Sequence, residues 1–514
     1  MSGSAAARLF SHLSARPDGD AVVFGGRTLT FGELDSLSRR YAGGLSALGV
    51  RKGDRVAAFA ESLPETIIAM LGHYRLGAIH VPINTRYRGE EAGHILEDSG
   101  AGTVIVRARS ESETVLRGLP GKRRVITIGA EPGSESLSLS FESLLASAEL
   151  PGEPSCEDGD VALLVYTSGT TGKSKGAALS YGALVANMES LTRLWRFTEA
   201  DRLVLTLPLF HVHGLCIGVH GALVAGAAIL LFERFDPAHV IRAFEEQGAT
   251  IFMGVPTMYV RLLEALDERP GLAAALARGR LFTSGSAALP AAHFEEFHRR
   301  TGHRILERYG MTETLFTLSN PYEGERRAGT VGLPVPGCEV RLVEDNGQEA
   351  PQDAPGEVLV RGENLMTGYW GKPAETAAAF RDGWFSTGDI ARRDAAGYVS
   401  IVGRKSVDVI KSGGFKISAR EIEDVLREHP RVREVAVVGQ PDPVWGERIV
   451  AAVVLRDERG PVDSAELLNE LTAFTGKSLA DYKRLRAVCV LPELPRNAMG
   501  KVQKHRILEV LGNE

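Results

Sequence analysis

At 514 residues the chain has room for about three domains of ordinary size and can bury large cores without disulfides or metals. It is 44% hydrophobic, 24% charged and 7% aromatic, which excludes a mainly disordered or collagen-like polymer. With 59 basic against 65 acidic side chains the net charge is −6, which argues against nucleic acid or a membrane surface held by bulk positive charge.

In chain order, residues 1–20 lack the continuous apolar core of a secretory signal. Runs at 55–60 and 78–83 read as buried strands flanking a helix at 64–77, and 227–232 and 249–255 flank a helix at 237–248 in the same way. This alternation is the signature of α/β layering. Residues 132–158, rich in Ser and Glu, read as a surface excursion. Residues 203–232 carry no Asp, Glu, Lys or Arg, long enough to span a bilayer. Pro208, three histidines and several glycines interrupt them, so a strand, a loop and a buried helix are expected instead. After about residue 403 the texture changes to a compact α+β unit. It has a helix at 418–428, strands at 432–438 and 447–455, a helix opened by Asp463 or Ser464, and a last strand at 486–491. Its apolar set is Val435, Val437, Ile449, Val453, Leu467 and Leu471. The expected fold is therefore a large N-terminal α/β domain of layered sheets and helices over 1–403, with a small, mobile α+β domain over 404–514. Cys156, Cys216, Cys338 and Cys489 form no CxxC pair, which suits a reducing, cytoplasmic setting.

The strongest local signal is the strand VALLVY at 161–166 running straight into TSGTTGKSKG at 167–176. Such a loop offers backbone N–H groups, hydroxyls and a cation to a polyphosphate together. The Walker-A pattern fails, because its first glycine would fall at Thr167.

The loop instead resembles the TSGTTG-x-x-KG signature of the adenylate-forming superfamily, with Ser174 where that family usually has proline. Further segments resemble the family's series in order: LTFGEL at 29–34, SGSAALP at 284–290, ERYGMTET at 307–314, STGD at 386–389, GR at 403–404 and PRNAMGK at 495–501. The resemblance implies an enzyme using ATP, Mg²⁺ and coenzyme A. It implies nucleotide contacts from Thr167, Ser168, Gly169, Thr170, Thr171, Gly172, Lys175, Ser286, Ala287, Ala288, Glu307, Arg308, Tyr309, Gly310, Met311 and Thr312. Asp389 and Arg404 would hold the ribose, and Tyr309 would stack on adenine. Glu313, with Thr167, would hold the metal; Thr312, Glu313 and Lys501 would be catalytic. Lys405 would be the hinge about which the small domain rotates. Ser412, Gly413, Gly414 and Phe415 would line the pantetheine tunnel, or simply form a glycine turn before the next helix.

Substrate choice falls to 208–214, 255–261 and the residues around Tyr309. The resemblance puts His211 and Met311 in the acyl pocket's wall. A guanidinium in an apolar pocket is costly unless an anion meets it, so Arg308 and Arg261 point to a second carboxylate on the substrate. An ion pair for Arg308 and an exposed helical position for Arg261 are the ordinary alternatives. With TLSNP at 317–321, the pattern is similar to the malonyl-CoA synthetases and implies malonate or methylmalonate as the acid. Another small carboxylic acid, an amino-acid adenylation enzyme and a Walker-type kinase are the rivals. No carrier-protein segment follows within the chain, and the expected partners are small molecules, with neither nucleic acid nor membrane insertion.

Overall fold

The structure is a computed structural model. It describes residues 3–130, 139–152, 154, 156–167, 174–404, 408–412, 415–456, 462–479, 481–497 and 500–512. Ser168 to Gly172, Lys405, Gly413 and Gly414 lie outside the described residues, as does the side chain of Phe415.

The chain forms two compact units. The first is Met1–Ala328, Gly332–Glu339 and Arg361–Phe385; the second is Gly329–Val331, Val340–Val360 and Ser386–Glu514.

Two sheets organise the first unit. One places Arg55–Phe59 between Ile79–Pro82 and Thr103–Arg107, and continues through Val161–Thr167 and Lys175–Ser180 to Gly368–Tyr369. The other runs from Leu306–Met311 through Leu281–Ser284, Ile251–Gly254 and Arg202–Leu205 to Ala228–Leu231, all parallel. Strands such as Ile251–Gly254 and Ala228–Leu231 are buried at every position, as parallel strands covered on both faces must be. The expected helix at 64–77 spans Pro64–Leu76. Pro64 pre-sets its first turn, and Gly77 stops it at φ 69°, where a side chain would be strained.

The charge-free stretch resolves into the strand Arg202–Leu205, an eight-residue π-helix His213–His220, the short helix Gly221–Ala225 and the strand Ala228–Leu231. No helix among the described residues is long and apolar enough to cross a membrane. The excursion at 132–158 is more structured than its composition suggests. Leu139–Ser140 joins a sheet edge, and Phe141 opens a short helix, fully buried and stacked on Tyr41 at 4.7 Å.

The second unit has the α+β texture expected after residue 403, and also takes in Ser386 to Gly403. Val432–Asp442 and Gly446–Leu455 form a long antiparallel pair, extended by Ala487–Val490 in parallel. The helices Ala419–Arg427, capped by Ser418, and Ser464–Thr475, capped by Asp463, pack over it. All six apolar residues expected there lie in one core, with Ile410, Ile417 and Ile422.

Candidate active site

In the parallel sheet of the first unit, Gly254, Ser284 and Glu307 stand in register at the same edge. The loops leaving that edge therefore emerge side by side, where α/β sheets bind ligands. After Leu281–Ser284 the chain turns through Gly285 and Ser286. Ser286 sits at φ 66°, and a Cβ on Gly285 would fall 2.2 Å from Nη1 of Arg308. Arg308 comes from the neighbouring strand, Leu306–Met311, and its guanidinium lies beneath that glycine and 4.6 Å from the Phe316 ring.

This arginine is only 4% exposed, and neither Nε nor Nη2 has a hydrogen-bond partner among the described residues. Burial pushes its guanidinium down to about 9, with no carboxylate among the described residues to hold it up. His213, 1% exposed at the start of the π-helix, hydrogen-bonds Ser286 Oγ through Nδ1 at 3.2 Å and leaves Nε2 without a partner among the described residues. Burial, then the charge of Arg308, holds His213 well below the usual histidine range, so it is neutral at pH 7. The Thr283 and Ser284 hydroxyls are likewise buried and unpartnered among the described residues. A single uncompensated buried charge costs several kcal/mol. Arg308 and His213 thus carry buried polar atoms that no described residue satisfies, an arrangement suited to an anion.

Beyond Arg308 the strand turns back on itself. Met311 pairs with Leu315, so Thr312, Glu313 and Thr314 form a tight connection to Leu315–Ser319. Gly310 is required there, because the Leu315 carbonyl oxygen lies 1.9 Å from where its Cβ would sit. Asn187 fixes the returning strand by bonding both N–H and C=O of Phe316. Glu313 is 5% exposed and accepts a hydrogen bond from the Tyr369 hydroxyl at 3.0 Å. The ring of that tyrosine lies 5.1 Å from the Lys175 ammonium. Lys175 pairs with Thr167 across the base of the phosphate-type loop, and His94 Nε2 donates to the Ser174 carbonyl at 2.8 Å. Thr167, Lys175 and Glu313 therefore belong to one neighbourhood. Among the described residues no group of three or more His, Cys, Asp or Glu could hold a metal alone. A buried carboxylate beside a phosphate-type loop fits Mg²⁺, which takes one or two carboxylates and completes its shell with water and phosphate oxygens.

Other expected site residues follow from the same turns. Tyr309 and Met311 are half-buried, with the Tyr309 hydroxyl 4.0 Å from the Met311 sulfur. Glu307 is buried and accepts from the Leu289 amide, which ties down the loop bearing Ser286, Ala287 and Ala288. His211 accepts from the His213 amide at 3.2 Å. Arg261 stays outside this assembly. It lies on the exposed side of the helix Pro256–Glu268, stacked on Phe235 at 5.1 Å, while Tyr259, Leu262, Leu263 and Leu266 face inward. Sequence reasoning passed over Tyr369, had Gly285 only as part of the segment 284–290, and left His213 open between the acyl pocket's wall and a satisfied core histidine. Only the GYW run at 368–370 offered a signal for the tyrosine.

In the second unit Asp389 pairs with Arg404 across two antiparallel strands, Oδ1 to Nε at 2.9 Å, and Arg404 Nη1 donates to the Thr387 carbonyl. Lys501 is exposed on a loop closed by Asn497, whose Oδ1 accepts from the Lys501 amide at 2.9 Å. Ser412 is buried at the end of the strand Val409–Ser412.

Within the first unit, a buried carboxylate in the neighbourhood of Thr167 and Lys175 on a layered α/β scaffold has the features of a nucleotide-using enzyme. Residues 9–370 match the AMP-binding enzyme family and 421–501 match the AMP-binding enzyme C-terminal domain. The chain is 34% identical to a malonate–CoA ligase of Arabidopsis thaliana, covering 98% of this chain and 88% of that one. It is 36% identical to an indoleacetate–CoA ligase of Aromatoleum aromaticum, over 98% and 97%. The crystal structure of ATP-bound MatB from Rhodopseudomonas palustris superposes with a TM-score of 0.88 at 35% identity, covering 99% of each chain. The chain belongs to the AMP-binding enzyme family, as one of its acyl-CoA ligases.

Proposed function

We propose that this ligase activates a small dicarboxylic acid, malonate or methylmalonate, and transfers it to coenzyme A with release of AMP and pyrophosphate. The observation that supports this acid is Arg308, a buried guanidinium without a protein counter-ion among the described residues. One substrate carboxylate meets Arg308 as a charge-assisted pair, with neutral His213 Nε2 as a further polar partner. The other is left free to attack the α-phosphorus of ATP. An indoleacetate or long aliphatic acid would leave the guanidinium buried against hydrocarbon, and the relatives' differing substrates leave that point to this pocket.

Adenylation brings two anions together, so the protein must supply positive charge where the phosphorane develops. Glu313 and Thr167 would hold Mg²⁺, which neutralises phosphate oxygens when bound. Lys175, Ser168, Gly169, Thr170, Thr171 and Gly172 hold the phosphates; Ser286, Ala287, Ala288, Glu307, Tyr309, Gly310 and Met311 hold the adenosine. Asp389 accepts from the ribose hydroxyls, and Arg404 fixes its orientation. Lys501 donates to acyl and phosphate oxygens together. The small domain then turns about Lys405, and Ser412, Gly413, Gly414 and Phe415 admit the thiol, which expels AMP from the acyl-adenylate. The widely spaced cysteines, with no CxxC pair, suit a reducing cytoplasmic setting.

The test is a panel of mono- and dicarboxylic acids with ATP, Mg²⁺ and coenzyme A, read by nucleotide chromatography and by thioester mass. AMP, pyrophosphate and malonyl thioester are expected. Butyrate or benzoate outpacing malonate contradicts the dicarboxylate reading, and ADP as product contradicts the reaction class.

A further inference from the structure

The segment around the strand Gly368–Tyr369 is stitched to both halves of the phosphate site. Thr367 N donates to the Ala178 carbonyl and Trp370 N to the Gly176 carbonyl, both on the strand that begins at Lys175. Met366 N donates to the Glu313 carbonyl at 2.8 Å. Tyr369 is held in register against Ala177, and its own amide donates to Thr376 Oγ1 at 2.9 Å. Its side chain then joins the same two partners that its backbone neighbours join. The hydroxyl donates to Glu313 Oε1 at 3.0 Å, and the ring lies 5.1 Å from Lys175 Nζ.

We propose that Tyr369 is a positioning residue for the metal–phosphate centre, its hydroxyl setting which way the Glu313 carboxylate faces and its ring supporting the Lys175 ammonium. This rests on the reading of Glu313 as the metal-binding carboxylate and Lys175 as a phosphate-binding cation. A carboxylate that accepts a hydrogen bond on one oxygen presents the other in a fixed direction, and groups in this relation to a metal ligand govern its affinity. An aromatic face attracts an ammonium without neutralising it, which leaves the charge free to act on a ligand. One side chain thereby orients an anion and a cation without joining them.

Three variants separate the roles: Tyr369→Phe keeps the ring, Tyr369→Leu removes both functions, and Glu313→Gln removes the carboxylate itself. The probes are Mn²⁺, titrated into protein saturated with α,β-methylene-ATP and read by water-proton relaxation, and the same nucleotide without metal, read by equilibrium dialysis. For Tyr369→Phe the Mn²⁺ dissociation constant should rise about 10-fold, with metal-free nucleotide binding as in the parent. Tyr369→Leu should lose metal affinity to the same degree and also weaken metal-free nucleotide binding. If Tyr369→Phe binds Mn²⁺ like the parent while Glu313→Gln does not, the role of the hydroxyl is overturned. If Glu313→Gln itself binds Mn²⁺ like the parent, the metal site beneath the proposal is what fails. Unchanged metal-free binding in Tyr369→Leu overturns the support given to Lys175.

Discussion

Two arginines of the first unit, Arg280 just before one strand of the parallel sheet and Arg308 within the next, meet opposite surroundings. Arg280 makes two bonds of 2.6 Å to Asp201, and its remaining N–H groups donate to the Trp195 and Arg196 carbonyls. Burial alone would push its guanidinium down, but the bonds and charge of Asp201 outweigh that and push it up. Arg308 is more deeply buried, no carboxylate among the described residues faces it, and burial pushes it down. A structural cation is satisfied by its own chain. One kept for a ligand leaves part of its hydrogen-bonding capacity open and costs stability until the ligand arrives.

Substituting each arginine should separate function from stability. The largest effect is expected for Arg308→Met, which should lower kcat/KM for malonate by the equivalent of about 2–5 kcal/mol, read from initial rates of AMP formation. Its unfolding free energy should hold or rise, since the variant removes an uncompensated buried charge. Arg280→Met should do the reverse, lowering stability by roughly 3 kcal/mol in denaturant titrations because Asp201 is left buried, while KM for the acid is unchanged. Similar stability losses in both variants would erase the distinction.

The histidines draw the same line. His220, at the far end of the π-helix, is satisfied by the Tyr74 hydroxyl at 3.0 Å and the Leu215 carbonyl at 2.9 Å, whereas His213 Nε2 has no partner among the described residues. Burial holds His220 down to about 4 and His80 down to about 3, with His73 also well below the ordinary value. These groups are neutral when folded, and the unfolded chain binds their protons first as pH falls. Stability is therefore full above pH 6.5 and declines below it until the folded values are reached. Each fully buried histidine should cost about 2 kcal/mol between pH 6.5 and pH 5, seen as a falling thermal midpoint. A midpoint independent of pH in that window would contradict their neutral burial. The smallest effect is expected for Arg261→Ala: exposed and only stacked on Phe235, it should leave malonate kinetics and stability near the parent's.

Much of this was legible in the sequence where one physical signal dominated. Fully apolar runs gave the parallel strands, Pro64 and Gly77 bounded a helix, and the apolar run at 161–166 is the strand Val161–Thr167. The helical period also placed Arg261: Tyr259, Leu262, Leu263 and Leu266 make the buried stripe, and position 261 falls off it. The orientation of His213, within the segment 208–214, stayed open because a π-helix changes the angle per residue and no local pattern marks it. The short helix after Leu139–Ser140 escaped notice because two apolar residues, Phe141 and Leu144, suffice to dock it in a polar stretch. Tyr369 acts through partners far away in sequence, which composition cannot show.

The most direct test is a competition: equal concentrations of malonate and propionate, near-isosteres differing in the second carboxylate, offered to the parent protein with ATP, Mg²⁺ and coenzyme A. The account predicts that malonyl thioester exceeds propionyl thioester by about 100-fold, the discrimination expected when a buried cation loses its partner. Equal products, or an excess of propionyl thioester, would contradict it.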